Sequence, residues 1–126
     1  MHKKSPGGSL FPYSYNGGQL HCPKYGSFYK NEKALFVLMD KEKDFILSQA
    51  GVLNIWIDFY KTRITKNVAI KFNENIEAIK SRINRLAIVG LSCFSKPKIN
   101  SGIKNINIPV GYFSDPEEAK SWITGG

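Results

Sequence analysis

A chain of 126 residues is of ordinary single-domain size, long enough to bury a core without disulfides or a structural metal. Its composition, 42% hydrophobic and 22% charged, is that of a folded globular protein, and no apolar run approaches the roughly 18 residues that cross a bilayer. The formal charge is +8; the first 33 residues carry Lys3, Lys4, Lys24, Lys30 and Lys33 against Glu32 alone, so half of the excess sits in the first quarter of the chain.

Residues 1–29 are rich in Gly, Pro, Ser and Tyr and show neither the helical nor the strand period, so an irregular arm is expected there. Its aromatics, Phe11, Tyr13, Tyr15, Tyr25, Phe28 and Tyr29, are too many for a disordered tail and imply that part of it packs on the domain or on a partner. The start of the chain lacks the apolar stretch of a secretory signal. Cys22 and Cys93 are too few and too far apart for a disulfide framework, which makes a reducing cytoplasm the expected compartment.

The domain proper is expected over 30–126. Residues 34–39 (Ala-Leu-Phe-Val-Leu-Met) read as a short strand, and 41–50 as a helix capped by Asp40 and stopped by Gly51, with a hairpin as the competing reading. Residues 52–59 follow as a branched and aromatic strand with Leu53, Ile55, Ile57 and Phe59 on one face and Asn54, Trp56 and Asp58 on the other. A long helix is expected over 66–84, capped by Thr65, with Val68, Ala69, Phe72, Ile76, Ile79 and Ile83 along one side and Ile70 on the polar side. The next strand is 86–91. Pro97 and Gly102 limit any helix after it to a short one. Pro109 makes 106–113 an edge strand or delays its start to Val110, and Asp115-Pro116-Glu117-Glu118 caps a closing helix with Ala119, Trp122 and Ile123 as its apolar side.

Two apolar strands around one amphipathic helix are the pattern of a βαβ unit with parallel strands. Asp58 then stands at the carboxyl end of a central strand, where open α/β sheets bind their ligands. Its structural alternative is to cap the loop or to pair with Arg63. Gly90-Leu-Ser-Cys-Phe94 has Phe where a nucleophile elbow needs its second glycine, and His2 and His21 both precede it, whereas the hydrolase order requires a downstream histidine. No Walker loop, dinucleotide glycine set, zinc spacing or EF-hand loop occurs, so neither a cofactor nor a metal is expected. Between Glu77 and Asp115 there is no acid, only Lys80, Arg82, Arg85, Lys96, Lys98 and Lys104. Such a stretch steers phosphate or acidic partners; solvation is the plainer reading.

Ile57-Asp-Phe-Tyr-Lys-Thr-Arg-Ile-Thr65, the helix after it, Ala87-Ile-Val-Gly-Leu-Ser92 with Lys96, and Val110-Gly-Tyr-Phe-Ser-Asp-Pro-Glu-Glu-Ala-Lys-Ser-Trp-Ile123 together resemble the small bacterial SpoIIAA-like proteins of the STAS superfamily. The resemblance implies an α/β fold, a four-stranded mostly parallel sheet packed with helices in the order βαβαβαβα. It also implies kinship with anti-sigma-factor antagonists, which are non-enzymatic protein-binding switches, and with CRAL-TRIO lipid-binding domains. The phosphorylatable serine of the antagonists has no counterpart: the matching region reads Ile64-Thr-Lys-Asn-Val68, with Thr65 the nearest hydroxyl.

The expected function is therefore a non-enzymatic regulatory module that binds a protein through the strand-end loops, with Asp58, Thr62, Arg63, Thr65, Ser92 and Lys96 at the rim and Ile70 on the adjoining helix. The alternative is a domain for a small anionic or lipid-like ligand held at the same rim by Thr62, Arg63, Ser92 and Lys96. An enzyme using Cys93 or Asp58 ranks third, because neither has an evident general-base partner. Nucleic acid is not the expected partner, and a homodimer is left open.

Overall fold

The computed structural model describes residues 3–7, 10–11, 13–15, 18–28 and 30–125. The elements run β1 (Lys3–Lys4), β2 (Leu10–Phe11), β3 (Tyr13–Tyr15), β4 (Gly18–Leu20), α1 (Glu32–Ser48), β5 (Leu53–Asp58), α2 (Lys66–Ile79), a 3-10 turn (Lys80–Arg82), β6 (Ile83–Val89), α3 (Lys96–Ile103), β7 (Val110–Phe113) and α4 (Pro116–Ile123). The chain is α/β: β5, β6 and β7 form a parallel three-stranded sheet in that order, packed by helices. β1 pairs with β2 and β3 with β4, both antiparallel. His2 and Tyr29 lie outside the described residues.

The faces of β5 follow the alternation of its sequence. Ile55 and Ile57, with Leu86 and Ile88 of β6, pack into the larger core under α1, α2 and α3. Trp56, Ala87 and Val89 turn to the other face, where Ala119 and Ile123 of α4 cover them together with Leu20 and Cys22. On α2 the stripe Val68, Ala69, Phe72, Ile76 and Ile79 is buried and Thr65 Oγ1 accepts from Val68 N, both as expected. Each large apolar side chain withdrawn from water contributes about 1.5–3 kcal/mol, so this stripe rather than helix propensity holds α2 down. The helix ends at Ile79, short of the expected 84, because the 3-10 turn lets Ile83 pair with Leu53 as the first residue of β6. Asp115 caps α4 by accepting from Glu117 N, and β7 starts at Val110 on the edge of the sheet, just after Pro109, which has no N–H to donate but whose carbonyl accepts from Leu86 N at 3.0 Å.

The expected strand over 34–39 is overturned. Residues 32–48 form one helix, capped by Asn31, whose side chain accepts from Ala34 N. Its buried positions are Leu35, Met39, Glu42 and Ile46, a period of three and four. Glu42 occupies the core stripe of α1, and a carboxylate there breaks the apolar pattern that would have marked the helix. The fourth strand of the expected sheet is therefore absent from this position.

The free edge of β5 is met instead by the segment that follows β4. His21 N donates to Asn54 O, Trp56 N to His21 O, Asp58 N to Pro23 O, and Tyr25 N to Asp58 O, all with the chains parallel. The His21 side chain points into the layer of α1. Its Nε2 lies 3.0 Å from Glu42 Oε1, and Ser5 Oγ and Gly7 N donate to Glu42 Oε2 at 3.1 and 3.0 Å; His21 and Glu42 are both 0% exposed. A carboxylate taken out of water needs such a set of donors, and removing its partner leaves a buried charge unmatched. Among the described residues no helix is long and apolar enough to cross a membrane.

Replacing Glu42 by Ala should therefore cost about 3–5 kcal/mol in urea unfolding, and Glu42→Gln, which keeps the volume and one acceptor, distinctly less. A second test concerns the contact between α1 and α2, where Asp40 Oδ1 lies 2.7 Å from Lys71 Nζ. The hydrogen bond from Lys71 holds the Asp40 carboxyl below its usual range. A depressed carboxyl stabilises the fold above its unfolded value and loses that contribution as the pH falls through the folded value. Asp40→Asn should thus lower stability slightly at pH 7, by under about 1 kcal/mol for a half-exposed pair, and the difference from wild type should close in strong acid.

Candidate functional site

The carboxyl ends of β5 and β6 are joined to α2 and α3 by two neighbouring loops, 59–65 and 90–95. The first is fixed from three sides. Asp58 Oδ1 accepts from Tyr60 N at 2.8 Å, so its carboxylate caps the loop. Thr62 Oγ1 donates to Tyr25 O at 2.6 Å and accepts from Phe28 N at 3.0 Å, while Ser27 N donates to Tyr60 O. Two glycines press on the same backbone. A Cβ on Gly26 would stand 2.6 Å from Tyr60 O, and one on Gly90 2.7 Å from Tyr60 N, with Gly90 also at φ +89°. Ser27, Lys30 and Lys61 have left-handed backbone conformations in this small region, which costs free energy that the surrounding bonds must offset.

The outcome is a rigid loop whose aromatic side chain is left outside. Tyr60 is 61% exposed, with Lys61 Nζ 5.6 Å from its ring centroid, and Phe94 in the next loop is 82% exposed. In the sequence both fall beyond the expected strands, Tyr60 directly after 52–59 and Phe94 after 86–91, and neither is among the expected site residues. The only available signal was an aromatic just past each strand end with a lysine within two positions.

The residues singled out from the sequence divide among three depressions. Arg63 and Thr65 share with Lys30 and Glu32 a cleft of about 210 Å3, in which Thr65 Oγ1 donates to Glu32 Oε1. Ser92 and Lys96 lie with Cys93 and Tyr112 in a second of about 250 Å3. Ser92 Oγ accepts from Ser95 N at 3.1 Å, Lys96 Nζ stands 5.1 Å from the Tyr112 ring centroid, and Tyr112 donates to Asn100 Oδ1 at 3.0 Å, its phenol pushed up to about 12 by burial. Ile70, 47% exposed, lies in a third of about 430 Å3 between α2 and α3, with Lys66, Ala69, Asn73, Lys98 and Ser101. Asp58 and Thr62 line none of these three; their polar groups are bonded within the loop.

The thiols differ. Cys22 is buried in the smaller core, where desolvation and then Asp58 push its thiol well above the usual range, whereas Cys93 is exposed. His21 is enclosed by Glu42 in the α1 layer. Among the described residues no cluster of His, Cys, Asp and Glu has the make-up of a metal site. Comparison of the chain with protein-family models, with curated proteins and with solved structures found no match.

The glycine contacts make the Tyr60 loop testable. Gly90→Ala meets backbone rather than a flexible side chain and must adopt a left-handed φ, so a loss of about 1–3 kcal/mol is expected in thermal or urea unfolding. Amide chemical-shift changes should centre on residues 59–62.

Proposed function

We propose that this chain is a non-enzymatic, STAS-like interaction module that binds a protein partner through the loops 59–65 and 90–95. The observation that carries this reading is the presentation of Tyr60: a backbone wedged between Gly26 and Gly90 holds an aromatic side chain out in solvent, and the loop that carries Gly90 leaves a second aromatic, Phe94, exposed. Aromatic and Arg residues are the side chains enriched in interface cores, and a loop ordered in advance avoids the entropy that a flexible one loses on binding. Lys61 adds a cation over the Tyr60 ring, and Arg63 a second in the cleft of the same loop. The STAS-like reading is supported by the parallel order of β5, β6 and β7 and by an aspartate-ended strand leading into a threonine-capped helix. With Thr65 occupied as cap and bonded to Glu32, the proposed switch depends on recognition rather than on a phosphorylated serine.

A photo-crosslinking amino acid placed at 60 or at 94 in the full chain, expressed in its own cells, should yield one common protein adduct, and Arg63→Ala should diminish it. The same group at Val52, which is 59% exposed at the opposite end of β5, should yield none. Equal adducts at all three positions, or a small molecule retained in native mass spectrometry and lost on Arg63→Ala, would overturn the proposal.

A further inference from the structure

We infer that the groove between α2 and α3 receives an acidic amphipathic helix of the protein partner. The inference rests on the interaction reading above and adds the chemistry of the partner. The floor of the groove is aliphatic, made by Ala69 and by Ile70, which stands on the side of α2 away from its buried stripe. Its lips are Lys66 at the start of α2 and Lys98 in the first turns of α3. Lys98 Nζ donates to Ile64 O at 3.1 Å, which stations the ammonium over the entry to α2. At Gly102 the two helices lie close: a Cβ there would stand 1.9 Å from Asn73 Nδ2, so glycine leaves room for the Asn73 side chain as it is placed.

Charge selects the occupant. Neither α2 nor α3 has an acid in its first turn, where acids ordinarily offset the positive helix end, and no acid occurs between Glu77 and Asp115. The groove is thus basic at the end nearest Tyr60 and Phe94. An occupant that extends from the proposed rim contact would place its carboxylates there and its apolar side chains on Ala69 and Ile70, the mode by which amphipathic helices lie in grooves. At about 1.5 Å per residue, the eight residues of α3 offer roughly 12 Å, room for two turns and two apolar anchors. Single-stranded nucleic acid fits less well, because it wants stacking faces along a track of cations, and the floor here is aliphatic.

The probe is a stapled 14-residue helix with Leu at positions 4, 8 and 11 and Glu on the flanking positions, paired with a second in which Lys replaces each Glu. Fluorescence anisotropy with the full chain should show binding of the acidic probe and about tenfold weaker binding to Lys66→Glu/Lys98→Glu, whereas the basic probe should prefer that double variant. Ile70→Asp, a change at an exposed position that leaves the circular dichroism spectrum intact, should weaken the acidic probe to a similar degree. Equal binding of both probes to wild type, or no effect of Ile70→Asp, would overturn the inference. So would displacement of the acidic probe by oligothymidine or by phosphatidylserine vesicles at lower concentration, which would assign the groove to nucleic acid or to membrane. Loss of probe binding with the 60 and 94 adducts intact would sink the groove alone; loss of the adducts with probe binding intact would sink the rim.

Discussion

The contact between His21 and Glu42 governs how the two ends of this fold meet. His21 lends its backbone to the free edge of β5 and its ring to a carboxylate from the core stripe of α1, and Ser5 and Gly7 close the remaining positions around that carboxylate. Without it, the segment after β4 would keep its apolar packing and a ladder that Pro23 interrupts, but α1 would bury an unmatched charge. The same registration carries Tyr25, Gly26 and Ser27 to the carboxyl end of β5. An anchor at one end of a parallel segment thus sets the position of a loop at the other.

That loop illustrates how polar side chains at a strand end divide their work. Asp58, Thr62 and Thr65 hold backbone groups of their own surroundings, which leaves the exposed chemistry to side chains that bond little within the protein: Tyr60, Phe94, Ile70 and the cations near them. Left-handed residues cluster where the arm, the β5 loop and the start of α1 converge, and the glycines sit where backbones touch. Strain of this kind persists only where neighbouring contacts over-determine it.

Much of the α/β framework was readable from local pattern. The alternation in β5, the stripe of α2, the Thr65 and Asp115 caps, and the late start of β7 after Pro109 each follow from residues within a few positions of one another. The misreadings arose where a local pattern was interrupted by a partner distant in sequence. Glu42 hid the helical period of α1 because its compensation lies in His21, Ser5 and Gly7, 21 to 37 residues away. Ile83 prolonged the stripe of α2 on paper because spacings of three and four do not reveal where a helix yields to a strand; its pairing with Leu53 does. At the candidate site, the sequence pointed to the strand-end loops through Asp58 and singled out Thr62, whose hydroxyl is bonded to a distant backbone, rather than the exposed Tyr60 and Phe94, since such bonding leaves no trace in composition.

The sequence by itself determined the order and type of most elements and the faces they bury, because side-chain period and capping act over one or two turns. Only the tertiary structure decided what occupies the edge of β5, which carboxylate the core tolerates, and which side chains at the strand ends remain in solvent. These outcomes depend on the desolvation of polar groups, and that is set by whichever distant segment arrives with the matching donor or acceptor.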